Sequence, residues 1–278
     1  MAGLIDLGVF TEQLVLEAEH ILLLNSISNP IYNTVFLDMG STLVGLSPTW
    51  EAVYHQVFQK AGYDLPIGEV EQAVSYSWGI VGEEDHNASY ITTLESNREW
   101  QREVEHRVME RLGIHPQVRD EVFWKIIAAF EDPATYPLYP ETCAVLERLK
   151  SEGYKLGIIS NWSWHLPELC ESLDLSRYFD VIVTSARVGC PKPQARIFEL
   201  ALDQIGAKPQ EAVHIGDTFK ADVIGAWGVN IAALWLDRRD EQLHLEKKGS
   251  LTPLQKAIRI ESLNDIWPFL EKGVPKPE

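Results

Sequence analysis

Groups able to bind a phosphoryl group and a cation recur directly after short apolar runs in this chain. Asp38 ends the run Thr34-Val-Phe-Leu-Asp-Met39 and is followed by Gly40, Ser41 and Thr42. Ser160 and Asn161 close Lys155-Leu-Gly-Ile-Ile-Ser160, and Gly216, Asp217, Thr218 and Asp222 come after Ala212-Val-His-Ile215. Lys192 stands in Gly189-Cys-Pro-Lys-Pro193, ahead of the helical pattern before that last run. Parallel strands of one open sheet deliver the residues at their ends to the carboxyl edge, where α/β sheets bind ligands. Two or three acids, a hydroxyl, an amide and a lysine at one edge suit Mg²⁺ held together with phosphate. Mg²⁺ takes hard oxygen ligands and shares phosphate oxygens. Lysine and hydroxyl donors hold the remaining oxygens.

The elements that must position these groups emerge from patterning. Further short apolar runs occur at Val181-Ile-Val-Thr184 and Ile231-Ala-Ala-Leu-Trp-Leu236, with a weaker one at Ala257-Ile-Arg-Ile260. Short apolar runs between turn residues suit buried parallel strands. Helical patterns at Thr142 to Ser151, Leu166 to Leu173, Ala195 to Ile205 and Ala221 to Trp227 lie between most of them. That alternation predicts βαβ units, hence an α/β fold with a Rossmann-like parallel-sheet core sandwiched by helices. Residues 47–135 read almost entirely as helix: Thr49 to Ala61, Ile67 to Ser77, Ile91 to Leu112 and Gln117 to Phe130. An inserted helical domain is expected there, splitting a core of residues 33–46 and 136–278. Pro-containing connectors, Leu46-Ser-Pro48 and Pro133 to Pro140, flank the insertion and suit hinges. Residues 1–32 are expected to form a helical extension, with Leu7, Phe10, Leu14, Ile21 and Leu24 on an apolar stripe broken by Glu12, Glu17 and Glu19.

Four of these segments resemble, in order, the motifs of the haloacid dehalogenase superfamily, and the resemblance spans about residues 34–270. Against the family's D-x-D-x-T-L stands Asp38-Met39-Gly40-Ser41-Thr42-Leu43. Ser160 matches the second motif. Lys192-Pro-Gln-Ala-Arg-Ile-Phe198 matches the third, K-P-x-x-x-I-F. Gly216-Asp217 through Asp222 matches G-D-x-x-x-x-D, with Gly225-Ala226 and Gly228 beyond it. The helical insertion after the first motif is similar to the family's C1-type cap. The resemblance implies a Mg²⁺-dependent hydrolase of small phosphorylated metabolites. Asp38 would attack phosphorus and form an aspartyl-phosphate that water hydrolyses. Metal ligands would be Asp38, the Gly40 carbonyl and Asp217, with Asp222 a ligand or the residue orienting one. Thr42, Ser160, Asn161 and Lys192 would bind phosphate, Lys192 also screening the nucleophile and Thr42 also positioning the first motif.

One departure bears on mechanism. The family's phosphatases carry a second Asp two residues after the nucleophile; it protonates the leaving group and later activates water. Here that position is Gly40, which transfers no protons, and such help is worth about 10²–10⁴-fold. Turnover should therefore favour good leaving groups, and Gly40→Asp should help alkyl phosphates more than aryl ones. Glu83, Glu84, Asp85 and His86 are groups of the insertion that could reach over. Trp162 and Trp164 either line the cleft or pack, and His214 is expected to be a packed core histidine. Loss of the acid also motivates an alternative: a catalytically weak or non-catalytic phospho-ligand-binding protein. Dehalogenases of the family lose the acids of the fourth motif, which are kept here. Phosphonoacetaldehyde hydrolases need a cap lysine, and none lies between Lys60 and Lys125.

Composition excludes other classes. The formal net charge is −17 over 278 residues, and no cluster of Lys and Arg supplies the basic face that nucleic acid or an anionic membrane surface needs. No apolar run approaches the ~18 residues that span a bilayer. Cys143, Cys170 and Cys190 show neither CxxC spacing nor a disulfide framework. A cytoplasmic monomer or homodimer is the expectation.

Overall fold

The computed structural model describes residues 32–84, 92–238 and 257–274. Residues 1–31 of the expected N-terminal extension, Asp85 and His86, and the side chains of Glu83 and Glu84 lie outside them.

Six strands form one parallel sheet: β1 (Thr34–Leu37), β2 (Lys155–Ser160), β3 (Val181–Thr184), β4 (Ala212–Gly216), β5 (Ala232–Leu236) and β6 (Ile258–Ile260). Their spatial order is β3-β2-β1-β4-β5-β6. The chain runs outward from β1 through β2 to β3, then returns to place β4 on the other side of β1. That reversal opens a crevice beyond the carboxyl ends of β1, β2 and β4.

Alternation along the strands explains why both faces are covered. Val35, Leu37, Leu156, Ile158, Val213 and Ile215 face one apolar layer, filled by α5 (Thr142–Ser151) and α6 (Leu166–Ser172). Phe36, Ile159, Val183 and Trp235 face the other. There α8 (Ala195–Ile205), which comes after the single turn α7 (Ser185–Val188), buries Ile197, Phe198, Ala201, Leu202 and Ile205, a stripe at helical spacing. The expected helix from Ala221 to Trp227 is instead a π-helical turn, Phe219–Ile224, running into a short α-helix, Gly225–Gly228. Periodicity does not register that difference, because both forms put Val223 and Ala226 against the sheet.

Among the described residues, four α-helices lie between β1 and α5: α1 (Trp50–Lys60), α2 (Ile67–Glu84), α3 (Leu94–Arg111) and α4 (Pro116–Glu131). They bury an apolar cluster of their own, with Tyr54, Phe58, Val70, Met109, Phe123 and Ile126 in it. Thr93 starts α3 with a capping box to Ser96, and Pro116 opens α4. The two connectors run side by side. Gly45 donates to the Pro137 carbonyl at 2.8 Å, Ser47 to Thr135 at 3.0 Å, and Tyr139 to Leu43 at 3.1 Å. Polar contacts also tie the helices to the loop after β2. Arg98 and His165 both meet Glu131, and Asn97 accepts from the Trp164 N–H at 3.3 Å.

Glu105 on α3 is buried, accepting from the Tyr54 hydroxyl at 2.7 Å, and Trp78 donates to that hydroxyl at 3.0 Å. Burial raises the Glu105 carboxyl to about 8, opposed by the Tyr54 hydrogen bond. A folded-state value above the unfolded one stabilises fully below the unfolded value and is lost as pH rises through the folded one. Thermal stability should therefore fall between about pH 4.5 and 8, by up to roughly 1.4 kcal/mol per pH unit. Glu105→Gln should flatten that stretch in denaturation scans at several pH values; an unchanged slope assigns it to other groups.

Candidate active site

The Asp38 carboxylate projects from the end of β1, where its backbone N–H still pairs with Ile215 at 2.9 Å. It is 8% exposed. Lys192, 2% exposed, points its ammonium into the same space and spends all three protons there. It donates to Asp38 Oδ1 at 2.8 Å, to the Ile159 carbonyl at 2.8 Å and to Asp222 Oδ1 at 2.5 Å. The Lys192 backbone is gripped by Asn161: its N–H donates to Asn161 Oδ1 at 2.6 Å, and Asn161 Nδ2 donates back to its carbonyl at 2.9 Å. The Asn161 side chain is thus committed to placing the lysine.

Asp222 is the most buried acid of the group. Its Oδ1 also receives His214 Nε2 at 2.8 Å, and its Oδ2 receives the Thr218 N–H at 2.9 Å. Burial alone would raise this carboxyl, yet Lys192 and His214 hold it well below the usual carboxylate range. Burial lowers His214, opposed by its hydrogen bond to Asp222, and the ring meets that carboxylate through Nε2. Its Nδ1 then lacks a partner among the described residues. The expected packed histidine is packed, against Phe198, and also orients Asp222. Gly216 is required here, because a Cβ on it would lie 2.2 Å from the Asp222 carboxyl carbon.

Burial raises the Asp38 carboxyl, opposed by the Lys192 ammonium and reinforced by the Asp222 charge. Ser160 hydrogen-bonds it as well. Asp38, Asp217 and Asp222 each offer an oxygen, and these atoms lie within 4.8 Å of one another. Three carboxylates converging from the end of β1, the loop after β4 and the π-helical turn beyond it fit a hard divalent cation. Asp222, with both oxygens already accepting, fits the orienting role.

These residues line one cavity of about 460 Å³, together with Gly40, Ser41, Trp162, Pro193, Thr218 and Lys220. Thr42 does not line it. Its side chain is fully buried, and its hydroxyl has no partner among the described residues. Thr42 therefore fits a place in the loop's support and no direct phosphate contact. That loop turns through Ser41 at φ 53° and is held by Arg238, which donates to the Ser41 carbonyl at 3.1 Å and the Thr42 carbonyl at 3.0 Å. Glu141 pairs with Arg238 at 2.7 Å. Nothing in the sequence points to this arginine, which lies 196 residues beyond Thr42. Lys220 was likewise not legible as a lining residue. Of the two tryptophans after Ser160, Trp162 lines the cleft, and a Cβ added to Gly40 would lie 3.2 Å from its ring, at Cζ3.

Residues 32–228 match the family described as haloacid dehalogenase-like hydrolase. The chain belongs to that family. Among curated proteins, this hydrolase is similar to the phosphoserine phosphatase of Thermus thermophilus, 31% identical over 73% of this chain and 88% of that one. It is also 39% identical to the glyceraldehyde 3-phosphate phosphatase of Methanothermobacter thermautotrophicus, over 40% of this chain and 51% of that protein. A HAD hydrolase of Bacillus subtilis solved with magnesium shares the fold, with a TM-score of 0.67 at 17% identity over 86% of this chain and 98% of that one. Among the described residues, no helix is long and apolar enough to cross a membrane.

Proposed function

We propose that this hydrolase is a Mg²⁺-dependent phosphatase of small phosphate monoesters, working through an aspartyl-phosphate on Asp38. The observation that carries this reading is the buried cluster in which Lys192 holds Asp38 against Asp222 beside Asp217. The names of the two phosphatase relatives support the same class of substrate. Asp38, the Gly40 carbonyl and Asp217 would hold Mg²⁺, which when bound neutralises charge on the phosphoryl oxygens.

The remaining work falls to the chain. Lys192 opposes the rise that burial gives the Asp38 carboxyl and fixes its rotamer, and Ser160 adds a donor at the same carboxylate. Asn161 and Asp222 position Lys192, and His214 positions Asp222. Helices α1–α4, within the proposed cap of residues 47–135, would shield the mouth of the cavity. Nothing at position 40 delivers a proton, so leaving groups that depart readily as anions are favoured.

A panel of aryl, acyl and alkyl phosphates with Mg²⁺ tests the reading. Aryl and acyl esters should turn over, and alkyl esters should lag in kcat/KM by about 10²–10⁴-fold. Gly40→Asp should narrow that gap only partly, because the indole of Trp162 crowds the new side chain. Pairing it with Trp162→Ala should narrow it further. No turnover of any ester above an Asp38→Asn control would favour the phospho-ligand-binding alternative that Gly40 motivates.

A further inference from the structure

The position that would carry a second acid is covered by an aromatic ring. Trp162 lies against Gly40 and lines the cavity beside Asp38 and Lys192. Its ring packs edge-on against Tyr136, with centroids 5.1 Å apart. Its backbone is pinned as well: the N–H donates to Ser185 Oγ at 3.2 Å, and the carbonyl accepts from Thr184 Oγ1 at 2.7 Å. The indole is thus a pinned, half-buried wall of the cavity, set against the position that lacks the second acid.

Two independent constraints meet at this spot. Gly40 supplies no proton, which favours an alcohol acidic enough to leave as an anion. The indole brings an apolar ring to the cavity wall, which suits a flat apolar leaving group.

We propose that Trp162 is the leaving-group platform and that the site is built for aryl phosphate monoesters, an inference that rests on the phosphatase reading above. Asp38 Oδ bonds to phosphorus as the P–O(aryl) bond breaks. The electron pair goes to the aryl oxygen, which leaves as phenolate and takes its proton from solvent water. Water then cleaves the aspartyl-phosphate, releasing inorganic phosphate and restoring Asp38. Stacking on the indole accounts for roughly three- to tenfold in selectivity, apart from the larger effect of leaving-group acidity.

Binding separates the platform from the chemistry. In Mg²⁺ buffer, calorimetry would compare phenylphosphonate with cyclohexylphosphonate, neither of which can be hydrolysed. Wild-type protein should bind the phenyl compound about three- to tenfold more tightly. Trp162→Phe should keep that preference, and Trp162→Leu should abolish it. Equal binding by the wild type, or a preference unchanged in Trp162→Leu, overturns the inference. Should the phenyl preference hold while no aryl ester is turned over, the platform stands and the phosphatase reading fails.

Discussion

Lys192→Met should cost about 3–5 kcal/mol of folding stability, the range for removing one partner of a buried ion pair. It should also lower kcat/KM by about 10²–10³-fold, as loss of a preorganised charge does. The ammonium is the only cation bonded to both Asp38 and Asp222 among the described residues. Methionine keeps much of the stem's volume and packing, so the loss is chiefly electrostatic. Two carboxylates, 8% and 1% exposed, would then face each other without countercharge. Mg²⁺ should recover part of the loss, because a cation held by the same acids supplies positive charge there. At a hundred times its Kd, a ligand adds about 2.7 kcal/mol. Urea titrations with and without Mg²⁺ check this. A loss under about 1 kcal/mol would show that the acids are compensated from elsewhere, and the account of Lys192 would fail.

Asp38→Asn should abolish turnover, by on the order of 10⁴-fold or more, as removal of a nucleophile does. Its stability cost should be far smaller than that of Lys192→Met. Asparagine leaves Lys192 with Asp222 and the Ile159 carbonyl, so no buried charge is stranded. The same variant tests the intermediate. Gly40 provides no base for the second step either, so hydrolysis of the aspartyl-phosphate should limit the rate. Mixing an aryl phosphate with wild-type enzyme should release a burst of about one phenol per chain, followed by a slower steady rate. Acid quenching during the steady phase should trap phosphate on Asp38, and on no residue of Asp38→Asn. Phosphate trapped elsewhere, or a burst retained by the variant, would remove Asp38 from the nucleophile's role.

Much of the architecture was legible because its signals are local. Each strand except the weak one at Ile258–Ile260 is an apolar run bounded by turn residues, and α8 carries a clear stripe at its own period. Boundaries moved where local rules compete. Helix α2 runs on to Glu84, beyond the expected Ser77, because Trp78-Gly-Ile-Val81 carries no breaker strong enough to end a packed helix. The fourth motif's helix begins as a π turn, set by contacts that periodicity does not encode.

Residue type and order along the chain were enough to assign each chemistry-bearing group to a strand end, to count the acids available for a cation and to find no proton donor at position 40. Those are properties of a residue and its near neighbours, and neighbours along the chain suffice to read them. Four features came only with the folded molecule: Asn161 grips Lys192, His214 turns Asp222, Arg238 holds the loop after Asp38, and Trp162 covers Gly40. Three of those contacts join residues distant along the chain, so their geometry exists only once the sheet has brought the strand ends together; the fourth, between His214 and Asp222 eight residues on, needs the π-helical turn that folds Asp222 back onto β4.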